Sequence, residues 1–252
     1  MATIHNNNAA CCSIPPVQST YTPKGTYKSI GGIEKVYVVG PENSPNVLLG
    51  VYDIFGFWPQ TLQGADLLAE SLNVKVVLPD FFAPYEPYDL NKFPPSNEQE
   101  TAEFQTFFGG AANPERVLPL LFNVADALKA SGATKIGTYG YCWGGKITIL
   151  AGASNKFVGV AANHPALLDA KDSEALTVPL AIFPSKDEPI DEYEKILKII
   201  SAKPWADKNS YKLYETMHHG FSSARGDLDN AENVTHYQDV YQRLSGFFSK
   251  LF

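Results

Sequence analysis

The residue best placed to do chemistry is Cys142, in the stretch Gly140-Tyr141-Cys142-Trp143-Gly144-Gly145-Lys146. It joins a β-branched and aromatic run, Lys135 to Tyr139, to an apolar, helix-like run, Trp143 to Ala153. A nucleophile on a strained strand-to-helix turn needs glycines beside it so that neighbouring backbone can pass closely, and Gly140 and Gly144 hold those positions. The turn also sets the sulfur at a helix N-terminus, where unpaired N–H groups and the helix dipole favour a thiolate. Two other readings stand beside this elbow. Gly140 to Lys146 spells G-x-x-x-x-G-K, but a phosphate-binding loop needs Ser or Thr next, and position 147 is Ile. Thr148 comes one residue late, about 100° further round a helix. The third reading is a buried cysteine that only packs.

A nucleophile needs a base, and a base needs an orienting acid. Ligands of a parallel sheet bind beyond the carboxyl ends of its strands, where this chain has Asp53, Cys142, His164, Asp187 and His219, each just after an apolar run. The order nucleophile, acid, histidine is that of α/β-hydrolases. In this reading His219 takes the thiol proton and Asp187 orients the imidazole. Taken singly, Asp187 reads equally as a helix-capping residue and His219 as a satisfied core histidine. His218 competes as the base; Gly220, which allows a tight turn into the site, favours His219. Backbone N–H groups of Trp143 and Ile54 are the expected oxyanion donors.

The elements that must carry these residues are legible in the pattern. Lys35 to Val39, Asn46 to Tyr52, Lys75 to Leu78, Lys135 to Tyr139, Phe157 to Ala162 and Val178 to Phe183 read as strands, with a short β-like piece at Tyr211 to Tyr214. Helical stripes fall at 61–72, 98–108, 114–130, 190–201 and 231–250, the third with Asn113 as N-cap and Pro114 behind it. Strands alternating with helices imply an α/β fold with a mostly parallel central sheet covered on both faces. Residues 1–28, with Pro15, Pro16, Pro23 and Gly25, read as an irregular arm, and 29–252 as one domain. The loop 81–97, rich in Phe, Tyr and Pro, reads as a pocket wall.

Composition narrows the partners. The chain has 252 residues, 44% hydrophobic and 19% charged, enough for a sizeable core. A net charge of -7 without a basic run argues against nucleic acid and anionic membrane, leaving a small molecule. Three cysteines, two of them the adjacent Cys11 and Cys12, make no disulfide framework and fit a reducing compartment. With neither a membrane-length apolar run nor a signal-peptide pattern, the expectation is a cytoplasmic monomer or homodimer. Asn233-Val234-Thr235 is a glycosylation acceptor by spelling only.

Together these motifs resemble the dienelactone hydrolases (carboxymethylenebutenolidases): Asp53-Ile54-Phe55-Gly56, Gly140-Tyr141-Cys142-Trp143-Gly144-Gly145, Lys186-Asp187, and His219-Gly220-Phe221 with Arg225. The resemblance covers residue 30 onward, and the arm is similar to that of the family's fungal branch. It implies an α/β-hydrolase fold, a Cys142-Asp187-His219 triad and a lactone or ester as substrate, with no metal or organic cofactor. It further implies a thiol-modulating role for Asp53, where the family's motif carries Glu, and a substrate-binding role for Arg225. Phe55, Phe82, Tyr85 and His164 are the other candidate substrate contacts. The family uses further arginines for a substrate carboxylate, yet no arginine precedes Arg116, and Lys92 is a poor substitute. That absence and the aromatic loop point to a substrate with an aromatic or polyketide-like body. A thioesterase or general carboxylesterase, a non-catalytic binding protein on a hydrolase scaffold, and a redox cysteine are the alternatives.

Overall fold

Strand alternation builds the centre of the molecule. In the computed structural model, which describes residues 20–252, β3 (Asn46–Val51) sends Val47, Leu49 and Val51 into one core and Leu48 into another on the opposite face. The period of two residues makes each strand the partition between two apolar layers. The strands are β1 (Thr26–Ile30), β2 (Ile33–Val39), β3, β4 (Lys75–Pro79), β5 (Lys135–Tyr141), β6 (Val160–Asn163), β7 (Leu180–Phe183) and β8 (Ser210–Tyr211). They form one sheet in the order β1-β2-β4-β3-β5-β6-β7-β8. β1 with β2 and β2 with β4 run antiparallel, and every other pairing is parallel.

Seven helices cover the sheet: α1 (Pro59–Leu72), α2 (Glu98–Gly109), α3 (Pro114–Ala130), α4 (Trp143–Ala151), α5 (Lys171–Glu174), α6 (Ile190–Ser201) and α7 (Ala231–Ser249). α1 and α7 supply Leu62, Leu68, Val240 and Leu244 to one core; α3, α4 and α6 supply Val117, Ile147 and Ile196 to the other. Local sequence sets the helix starts. The Asn113 side chain accepts from Glu115 N at 2.9 Å ahead of Pro114, and Asn230 accepts from Glu232 N and Asn233 N at 3.0 Å. No helix among the described residues is long and apolar enough to cross a membrane.

The parallel sheet and the helices agree with the sequence pattern, with differences at the edges. Residues 26–28, expected at the end of an irregular arm, belong instead to β1, paired with β2; its exposed residues lack the apolar alternation that marks the inner strands. Residues 1–19, including Cys11 and Cys12, lie outside the described residues. β8 is two residues long, with Tyr214 continuing only as a single bridge to Ser185.

The elbow is the tightest point of the fold. Cys142, between β5 and α4, has φ 55° and ψ -120°, a conformation costly for a side-chain-bearing residue. A Cβ on Gly140 would lie 2.1 Å from Gly144 O, and one on Gly144 would lie 2.3 Å from Val51 O and 2.5 Å from Tyr52 O. All of these neighbours are backbone, which cannot swing aside. Gly144→Ala is therefore expected to lower stability by about 3 kcal/mol, read from the urea unfolding midpoint at unchanged slope.

Candidate active site

Four connections meet at the carboxyl end of the sheet. The elbow is tied to its neighbour strand: Cys142 N donates to Asn163 O at 3.1 Å, and the Cys142 carbonyl accepts from Ala166 N at 2.9 Å. The turn after β7 carries the acids, the stretch after β8 carries His218 and His219, and the loop after β3 carries Asp53 and Ile54. Cys142 is 5% exposed and in no disulfide, and His219 is 1% exposed. Water is largely excluded, so charges formed there interact strongly.

The acid on the His219 ring is Glu188. Its Oε1 lies 2.6 Å from His219 Nδ1, both side chains being almost wholly buried. Its Oε2 accepts from Ser185 N, which holds the carboxylate on the imidazole. Asp187, expected in that role, instead accepts the backbone N–H of His219 at 2.7 Å from a half-buried position. The reason is the tight turn from Ser185 to Pro189. Asp187 faces the backbone of the histidine loop, while the longer Glu188 side chain reaches back into the core. The sequence carried a signal for this, two adjacent acids in Lys186-Asp187-Glu188-Pro189, but not the direction of each side chain.

The adjacent histidines separate clearly. His218 is half-buried, its Nδ1 donating to the His219 carbonyl at 3.0 Å, and burial pushes its pKa down. Of the two, His219 has a carboxylate hydrogen-bonded to its ring, while the His218 ring bonds to a backbone carbonyl. Gly220 has φ +92°, and a Cβ there would come within 2.9 Å of the Arg225 side chain, which is 2% exposed. Gly220 thus lets the Arg225 side chain pack against the turn directly after His219.

Asp53 joins the loop after β3 to the histidine loop. Its Oδ1 accepts from Phe55 N at 3.0 Å, and its Oδ2 from Ser223 Oγ at 2.7 Å and Ala224 N at 3.1 Å. Burial raises its pKa, opposed by these donors and by His219. Ser223 was not singled out in the sequence, since a serine 170 residues away carries no local mark. The Ile54 carbonyl accepts from Tyr88 N at 2.9 Å, which anchors the loop that carries Ile54. Trp143, fully buried, donates Nε1 to Ala112 O at 2.8 Å.

The aromatic stretch forms a roof. Phe55 packs on Phe93 at 5.3 Å between ring centroids, and Phe82 packs on Trp143 at 4.9 Å and Tyr52 at 5.0 Å. Phe82 is fully buried and supports the roof from within, whereas Tyr85 is 55% exposed and stands outside it. Tyr85 lies instead over the Arg116 guanidinium at 5.1 Å. Arg116 donates to the carbonyls of Phe81, Phe82, Ala83 and Ala111, pinning both ends of the roof. His164 is fully buried beneath His219, with ring centroids 5.1 Å apart. Among the described residues no three His, Cys, Asp or Glu side chains cluster as a metal site.

A family model described as the dienelactone hydrolase family matches residues 35–252. The chain belongs to the dienelactone hydrolase family. An AIM2 family protein of Schizosaccharomyces pombe is 34% identical, the match covering 96% of this chain and 99% of the relative. That similarity agrees with the fungal branch. A carboxymethylenebutenolidase homolog of Xenopus tropicalis is 27% identical over 91% of this chain and 92% of its own length. The crystal structure of a putative dienelactone hydrolase from Klebsiella pneumoniae subsp. pneumoniae superposes with a TM-score of 0.69 at 20% identity, covering 89% of this chain and 98% of the other. The fold is the α/β-hydrolase fold, and the protein is a hydrolase of the dienelactone hydrolase type.

Proposed function

We propose that the protein hydrolyses a lactone or ester through Cys142, His219 and an acyl-thioester intermediate. The observation that carries this reading is the buried Glu188–His219 hydrogen bond, with His164 packed between His219 and Tyr141, the residue that precedes the strained Cys142 elbow. His219 accepts the thiol proton, and Glu188 stabilises the imidazolium. The sulfur attacks the acyl carbon, and the tetrahedral oxyanion lies against the N–H groups of Ile54 and Trp143. The protonated His219 then gives its proton to the departing oxygen. Water activated by neutral His219 cleaves the thioester and restores the thiol. In a lactone the ring C–O bond already breaks in the first step, but the departing oxygen stays tethered to the acyl group, so the product leaves only after this hydrolysis.

The substrate is proposed to carry an aromatic or polyketide-like body. The roof of Phe55, Tyr88, Phe93, Phe104 and Phe107 is an aromatic cluster that reaches the elbow through Phe82 on Trp143. The first arginine of the chain is committed to roof carbonyls, and Lys92 is paired with Glu103 at 2.6 Å, so neither serves a small dicarboxylate. The butenolide in the name of the Xenopus tropicalis relative is itself a lactone. A thioesterase or general carboxylesterase uses the same groups, and a binding protein retains them unused.

The test is a panel of aryl and alkyl esters, enol lactones and acyl thioesters, with acid-quenched samples weighed intact. Aryl substrates are expected to have kcat/KM at least about tenfold above matched alkyl ones, with an acyl adduct on the Cys142 peptide. Preference for thioesters supports the thioesterase alternative. Absence of both adduct and turnover across the panel supports the binding protein.

A further inference from the structure

His164 breaks two local rules of a stable core. It has φ 34°, in the left-handed region that non-glycine residues seldom occupy, and it is fully buried. Neither ring nitrogen has a hydrogen-bond partner among the described residues; the residue's own backbone approaches the ring without completing one. Buried polar atoms left in this way cost stability, and such exceptions gather where function requires them. Its backbone is placed firmly: His164 N donates to Phe183 O at 2.9 Å, directly after the strand paired with the elbow strand.

The ring sits in an aromatic stack under the base. It lies nearly parallel to Tyr141, with centroids 5.9 Å apart, and edge-to-face with His219 at 5.1 Å and with Phe221 at 5.6 Å. The surrounding groups keep it uncharged. Burial chiefly, then His219, His218 and Arg225, push its pKa well down. No hydrogen bond to a described residue locks its tautomer, so either nitrogen can carry the hydrogen.

We propose that His164 is a positioning residue for the charged form of His219, its neutral ring turning a lone pair toward the imidazolium that forms when His219 holds the Cys142 proton. This rests on the cysteine–histidine reading given above. The proton moves from Cys142 Sγ to His219 while Nδ1 keeps its bond to Glu188; His164 gains and loses none. A ring dipole already in place stabilises that charge without solvent reorganisation, and so favours the thiolate–imidazolium pair over the neutral pair. The other ionisable groups about the pair are Asp53 on the β3 loop, Tyr141 on β5, Asp187 and Glu188 after β7, and His218 and Arg225 on the histidine loop. None of them changes in the experiment.

The test follows iodoacetamide alkylation of the Cys142 peptide by mass spectrometry across pH, which separates it from Cys11 and Cys12 and needs no substrate. His164→Phe keeps a ring of similar size without the dipole, and His164→Asn suits a positive φ but ends short of His219. Both are expected to slow Cys142 alkylation at pH 7 roughly tenfold and to move the midpoint of the profile up by about one unit. Circular dichroism and thermal melting report folding; a merely structural histidine would change the melting point and leave the profile in place. A folded variant of either kind with the wild-type profile overturns the proposal. A wild-type profile already like that of an ordinary thiol instead overturns the cysteine–histidine reading beneath it.

Discussion

Cys142→Ala is expected to lower kcat on an aryl ester by about 10⁵-fold, because in the proposed mechanism no later step can proceed without the covalent intermediate. Folding should hardly change. The residue is small, 5% exposed, and its backbone bonds to Asn163, Gly145 and Ala166 survive the substitution. What remains is the background from substrate binding and the backbone donors of Ile54 and Trp143, which a side-chain change at 142 leaves intact. The measurement is single-turnover kinetics with circular dichroism as the folding check. Turnover within about tenfold of wild type would remove the sulfur from the mechanism.

Glu188→Gln carries the second large effect, and it separates the acid expected from the sequence from the acid found in the structure. The amide keeps the shape of the side chain but loses the charge that balances the imidazolium, and it can present N–H where His219 Nδ1 needs an acceptor. A loss of about 10³–10⁴ in kcat is expected, by analogy with the loss of an orienting carboxylate in serine proteases. Asp187→Asn should cost far less, roughly tenfold, because an amide oxygen still accepts the His219 backbone N–H. Measuring kcat and KM for the two variants in parallel gives the comparison. Equal losses, or a larger one at Asp187, would return the orienting role to Asp187.

The contrast between these two acids marks how far local sequence reaches. The glycines around Cys142, the Asn–Pro start of α3 and the alternation in β3 each act within a few residues, and the structure reproduces them. The same holds for the placing of Cys142, the acidic turn and His219 just beyond successive strand ends. The choice of Glu188 over Asp187 depends on how one tight turn aims two neighbouring side chains, a matter of about one bond length of reach. The orientation of Tyr85 is set in a related way. An aromatic residue in a wall-like loop has an inner and an outer face available, and Arg116 draws Tyr85 to the outer one.

Longer-range partners carried no sequence signal. Asp53 is read from its motif, but its bonds to Ser223 and Ala224 cross about two-thirds of the chain. The bonds of Arg116 to Phe81, Phe82 and Ala83 span 33 to 35 residues. Nothing in the local pattern of either segment encodes such a pairing. What the sequence by itself determined is the sheet, the elbow and the family, because periodicity, glycine sterics and capping are forces between near neighbours. What only the tertiary structure decided is which acid holds His219, which aromatic rings form the roof, and that His164 lies beneath the base. Each of these follows from the directions of side chains brought together by packing between distant elements.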